Sequence, residues 1–166
     1  AHFLVQSKNV LVFSLETDAD MIHGRIAANL QRIHMSNLLG TNGSKMTKSE
    51  MHKVKEYIED IKSRDLISIC DKDNLTLENI TAISDQISDA GKPIDLIVVD
   101  YIQLVTLKSV GNKARHEQVA EVTRTLKQMA KRYQCPVLTA SQLNDDGRVR
   151  ESRAITHDAD VFLKID

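Results

Sequence analysis

The sequence predicts an α/β fold: a mostly parallel β-sheet with helices on both faces, in one domain over residues 1–166. Three observations carry this. Short apolar runs alternate with segments of helical periodicity along the whole chain, the pattern of βαβ units. Ile94-Asp95-Leu96-Ile97-Val98-Val99 is a near-continuous apolar run between Lys92-Pro93 and Asp100, which reads as a strand buried on both faces. A chain of 166 residues with 42% hydrophobic content is long enough for one sizeable core. Right-handed crossovers in such a sheet put all strand carboxyl ends on one edge.

The elements follow in order. Ala1 to Lys8 resembles the last turns of a helix feeding a strand, and Val10–Leu15 is that strand, ending on Glu16. Thr17 with Asp20 has the spacing of a capping box, and a helix follows to about Ile33 with Met21, Ile22, Ile26 and Ile33 near one face. Residues 40–44 are a loop. Thr47 and Glu50 form a second capping box for a helix carrying Met51, Val54, Tyr57, Ile58 and Ile61. Leu66–Cys70 is a strand. Thr76 opens a helix with Leu77, Ile80, Ile83 and Ile87, and Gly91 is placed to stop it. After the strand ending at Asp100, Thr106–Ala114 is polar and reads as flexible. The helix after it has Val119, Val122, Leu126, Met129 and Tyr133 as its buried stripe. Pro136–Ala140 is a strand, Asn144–Arg153 a short charged loop and Val161–Ile165 a last strand.

Composition excludes several classes. Net charge is −1, so no global field draws the chain to nucleic acid or membrane, and any such contact must be local. No apolar run approaches the roughly 20 residues a membrane span needs. No signal peptide is visible, and Cys70 and Cys135 read as reduced, buried thiols of a cytoplasmic protein. The six histidines lack zinc-site spacing; His23 and His34 share a predicted helix but are too far apart to share an ion.

Chemistry gathers at three strand ends: Glu16, Asp100 and Ser141-Gln142. An apolar strand ending on an acid is the Walker B pattern, in which the acid orients Mg²⁺ beside nucleotide phosphates. A carboxylate such as Glu16 can polarise an attacking water, and an amide such as Gln142 can hydrogen-bond a γ-phosphate. Plainer readings stand beside these. Asp100 can cap a buried strand, Glu16 can be a first-turn acid favoured by the helix dipole, and Gln142 can be an ordinary loop amide. Two basic loops follow two of the strands, with Lys108, Lys113 and Arg115 in one and Arg148, Arg150 and Arg153 in the other. Such loops can hold the phosphates of a single strand, or be simply solvated. Neither has an aromatic to stack a base, so any grip would be on the backbone.

Together these residues resemble the DnaB-type replicative helicases. The resemblance rests on Val12-Phe13-Ser14-Leu15-Glu16, Arg25, Asp95-Leu96-Ile97-Val98-Val99-Asp100-Tyr101-Ile102-Gln103-Leu104, Ser141-Gln142-Leu143-Asn144, Arg150-Glu151-Ser152 and Asp158-Ala159-Asp160-Val161, and on the charged helix from Ala114 to Arg132. It implies a RecA-like motor domain, fuelled by ATP with Mg²⁺, in a homo-hexameric ring that moves along single-stranded DNA and separates the duplex at the fork, with primase and a helicase loader as partners. Glu16 would activate water, Asp100 would hold Mg²⁺ through water, and Gln142 would sense the γ-phosphate; the same three would contact the nucleotide. Segments 106–115 and 145–153 would be loops facing DNA.

The chain departs from that family in four ways. It has no G-x-x-x-x-G-K-[ST] loop, whose amides and Lys would hold the phosphates. The family's order puts this loop before Ala1 and the arginine finger after Asp166. The chain does not begin with Met, so we expect a fragment, inactive by itself. The loop between Asn144 and Arg150 is short, and Arg153 stands where the family has Gly. Two other readings remain: a different RecA-like ATPase such as a recombinase, or a non-catalytic RecA-like module that binds a partner.

Overall fold

The computed structural model describes residues 1–109, 111, 113–142 and 154–164. Four strands, β1 (Val10–Ser14), β2 (Ile67–Cys70), β3 (Leu96–Asp100) and β4 (Val137–Thr139), form one sheet in the order β2-β1-β3-β4, with all pairings parallel. The helices are α1 (His2–Val5), α2 (Ala19–Leu30), α3 (Met35–Leu39), α4 (Lys48–Arg64), α5 (Leu77–Asp89), α6 (Arg115–Tyr133) and α7 (Ala154–Asp158).

The two-residue period of the strands sorts the core into two faces. Leu11, Phe13, Ile97 and Val99 point at α5 and α6, meeting Ile80, Val119, Val122, Leu126 and Met129. Val10, Val12, Leu96 and Val98 point the other way, toward Leu4 of α1, Ile22 and Ile26 of α2, and Ile61 of α4. Asp95 fixes the relative start of β1 and β3: its carboxylate accepts the Asn9 backbone N–H at 2.8 Å and the Lys8 ammonium at 3.1 Å.

The strand buried on both faces is β1, where all five residues are buried. In β3 burial alternates: Ile97 and Val99 are buried, whereas Leu96 and Val98 are only half-buried. The reason is coverage. The second face is roofed by α2 and α4 on the β2–β1 side and by the single turn of α1. Leu138, in register with Val98, is 59% exposed.

Three boundaries differ from expectation. Helix α2 stops at Leu30, short of Ile33, because Arg32 takes a left-handed φ of 54°, and the Ile33 N–H returns to the Ala28 carbonyl at 2.8 Å. This is a Schellman closure built without glycine, and it buries Ile33 against Ala27 and Ala28. His34 therefore caps α3 and does not share a helix with His23. Asp18, not Thr17, caps α2, accepting the Met21 N–H at 2.7 Å. Thr17 is held instead by the Ser14 hydroxyl, which accepts its N–H at 3.2 Å and donates to its carbonyl at 2.6 Å.

The third concerns the last strand. Residues 161–164 form no strand, and Val161 and Leu163 are 74% and 81% exposed. A short apolar run becomes a strand only when an edge pairs with it, and among the described residues none does; Ile165 lies outside them. The capping box at Thr47 and Glu50, the Thr76 cap and the turn at Gly91 form as expected. Both cysteines are free; Cys135 is buried, but Cys70 is only half-buried. Among the described residues no helix is long and apolar enough to cross a membrane, and no three His, Cys, Asp or Glu side chains gather as a metal site.

Candidate functional site

From β1 the chain turns to β2 on one side, then crosses to β3 on the other. The carboxyl ends of β1 and β3 therefore flank the point where strand order reverses. In open α/β sheets this is where a crevice opens and ligands bind.

The pairing brings the three predicted strand ends together. Ser14 is in register with Asp100, and the Leu15 N–H extends the ladder to the Asp100 carbonyl at 2.9 Å, so Glu16 is the next residue out. On the other flank Val99 is in register with Thr139, whose hydroxyl donates to the Val99 carbonyl at 2.8 Å. The Ile102 N–H then donates to the Ala140 carbonyl at 3.1 Å, bringing Ser141-Gln142 out beside residues 101–103. Glu16, Asp100 and Gln142 thus rise from three adjacent strands, β1, β3 and β4.

Hydrogen bonding separates the acids near this edge. Asp18 caps α2, and Asp71, just past β2, accepts the Ala19 N–H at 2.8 Å. Both are spent on structure. The carboxylates of Glu16, exposed, and Asp100, half-buried, make no hydrogen bond or ion pair among the described residues. A pair of uncommitted carboxylates at a sheet switch point suits a hard divalent cation with retained waters, and a polarised water. The donor set therefore fits the cation and water side of a nucleotide–Mg²⁺ site. The phosphate cradle is not in this sequence, which has no Gly-rich Lys-Ser/Thr loop.

The segment after β3 is anchored at its start. Ile102, Val105 and Leu107 are buried. Thr106 accepts the Leu77 N–H at 2.8 Å, and Glu78 accepts the Lys108 N–H with both oxygens. Burial tends to raise the Glu78 carboxyl, but the backbone donors of Glu78 and Lys108 outweigh this and hold it below its ordinary value. The expected flexibility of 106–114 thus fails for 106–108, whose backbone groups are paired with the start of α5.

The expected basic residues part ways. Lys108 is exposed. Lys113 is exposed too and pairs with Glu121 at 2.5 Å. Arg115 is half-buried and turned inward, donating to the Gln103 carbonyl and, at 3.1 Å, to Gln118. Arg148, Arg150 and Arg153 lie outside the described residues. Gln103 and Glu78 have no role that the sequence alone implies. The signal for Gln103 was a lone amide inside the otherwise apolar Ile102–Val105 run.

The family model for the DnaB-like helicase C terminal domain matches residues 1–165. The chain belongs to this family. It is 31% identical to the replicative DNA helicase DnaB of Haemophilus influenzae, over 98% of this chain and 36% of that protein. The Helicobacter pylori (strain 26695) protein of the same name is 28% identical, over 96% of this chain and 34% of that one. The chain thus spans about a third of the length of these curated relatives. Among solved structures it resembles a DnaB-like replicative helicase described with its interactions with primase, at a TM-score of 0.76 and 24% identity over 94% of this chain and 40% of that one. The ATPase domain of G40P matches with the same TM-score and identity, over 94% of this chain and 58% of that chain. The fold of this DnaB-family domain is α/β and RecA-like, as in those structures.

Proposed function

We propose that this domain is the motor of an ATP-dependent replicative DNA helicase, working with Mg²⁺, that translocates on single-stranded DNA and unwinds the duplex at the fork. The observation carrying the proposal is the convergence of Glu16, Asp100 and Gln142 from adjacent strands β1, β3 and β4, with both carboxylates uncommitted. When bound, the nucleotide–Mg²⁺ pair supplies the phosphoryl bond and the charge that stabilises its cleavage. Asp100 would hold Mg²⁺ through its waters. Glu16, at the exposed tip of the Ser14–Thr17 turn, accepts the proton of the attacking water. Gln142 would offer its amide to the γ-phosphate, and Arg148, Arg150 and Arg153, which follow it in the sequence, would contact the single strand. Lys108 and Lys113 supply backbone contacts to the single strand; Arg115 supports that loop from beneath.

The assembly is a homo-hexameric ring, with primase and a helicase loader as partners, in the cytoplasm. Free Cys70 and Cys135 suit that reducing compartment. The test is ATP turnover by the full-length gene product, with and without single-stranded DNA, followed by unwinding of a forked duplex. Strand-stimulated turnover with unwinding supports the motor. Stimulation without unwinding moves the reading to a recombinase-like ATPase, and no turnover moves it to a binding module.

A further inference from the structure

Gln103 touches three parts of the site at once. It sits in the tight turn Ile102–Leu104 that directly follows Asp100-Tyr101. Its side-chain NH₂ donates to the Ser141 hydroxyl at 2.8 Å, and its side-chain carbonyl accepts the Gln142 N–H at 3.4 Å. The amide thus offers the chain leaving β4 one donor and one acceptor, as a strand neighbour would, where β3 has already turned away. Its backbone carbonyl takes the Arg115 guanidinium at the start of α6. Between them, the Lys108 N–H is held by Glu78.

We propose that Gln103 is a positioning residue that couples Gln142 to Arg115 and to the neighbouring Lys108 and Lys113, so that a shift of Ser141-Gln142 on nucleotide binding or release is carried through Gln103 to the residues that face DNA. The inference rests on the motor reading and names the link within it. Gln103 itself touches neither nucleotide nor DNA in this scheme; it acts through Gln142 and Arg115.

The experiment uses the full-length gene product and reads turnover with and without oligo-dT, the KM for ATP, and the melting temperature. Gln103→Leu keeps bulk but loses both amide bonds. It should cut the stimulation ratio about tenfold, the range expected when a coupling contact is lost, while KM for ATP stays within about twofold. Gln103→Glu should restore most of the ratio, because a carboxylate accepts both the Gln142 N–H and the rotatable Ser141 hydroxyl. Adding Ser141→Ala to Gln103→Leu should cost nothing further, since the two share one bond. A wild-type ratio in Gln103→Leu overturns the inference. So does an equal fall of basal and stimulated rates that Gln103→Glu does not rescue, which marks a merely structural role. If the wild-type protein itself shows no strand stimulation, the motor reading fails, and that is seen before any variant is read.

Discussion

Glu78 accepts the backbone N–H of Lys108 with both carboxylate oxygens, at 3.0 and 3.2 Å. One acid in the first turn of α5 thereby anchors the segment that leaves β3. Its folded-state carboxyl lies below the ordinary value of 4.5, so its contribution is complete above pH 4.5 and fades as pH falls through the folded value. Glu78→Gln, which mimics the protonated acid, should lower stability at neutral pH by about 0.5 kcal/mol, the size expected for an exposed and screened first-turn acid. As pH falls through the folded value, the variant and wild type should converge on the same urea midpoint. A gap that persists in acid would mean the bond does not depend on charge.

Glu16→Gln in the full-length protein should keep nucleotide affinity and lose hydrolysis by about a hundredfold or more, within the roughly 10²–10⁴-fold range of general-base catalysis. Single-turnover hydrolysis with a fluorescent-nucleotide binding assay checks this. Undiminished turnover would remove Glu16 from the mechanism.

Lys108 and Arg115 should separate under mutation. Lys108→Ala should flatten the salt dependence of oligo-dT binding by roughly 0.7, one single-strand phosphate contact, with the melting temperature unchanged. Arg115→Ala should instead lower the melting temperature, because it strips a charged donor from the Gln103 carbonyl. Equal effects of the two on the salt slope would put Arg115 on the DNA.

Ile97 is fully buried at the centre of the sheet, facing α5 and α6. Ile97→Ala should cost about 2–5 kcal/mol, through lost burial plus the cavity left behind. Urea denaturation gives the number; a loss under about 1 kcal/mol would mean that the face collapses to fill the gap.

The Tyr57 hydroxyl is buried between α4 and the sheet, without a hydrogen-bond partner among the described residues. Burial, chiefly, and the nearby Asp60 push its phenol above the ordinary value. Tyr57→Phe removes an unsatisfied polar atom at constant shape, so stability should be unchanged or rise by up to about 1 kcal/mol. A clear loss in thermal unfolding would reveal a partner for that hydroxyl.

Much of this molecule was legible in the sequence because the relevant signals are local. A strand or helix announces itself by the spacing of its own apolar residues. Thr47 with Glu50 needs only three residues to form a cap. The alternation of elements implied a parallel sheet, and parallel strands align their carboxyl ends, so Glu16, Asp100 and Gln142 were candidates before any coordinate. The motif order was also enough to suggest the DnaB-type family.

What the tertiary structure alone decided depends on contacts between residues distant in the chain. The order β2-β1-β3-β4 made three strand ends adjacent and set the switch point between Glu16 and Asp100. Periodicity reports which face a residue takes, not which strand lies next to it. Asp18 and Asp71 became caps while Glu16 and Asp100 stayed uncommitted, and Arg115 turned inward while Lys108 stayed out. By residue type alone these acids, and these bases, are alike. Their roles diverge because a hydrogen bond needs a partner within about 3 Å, and only the folded chain determines who that partner is. Residues 161–164 make the same point: an apolar run has the propensity for a strand, but a strand exists only where a second backbone meets it.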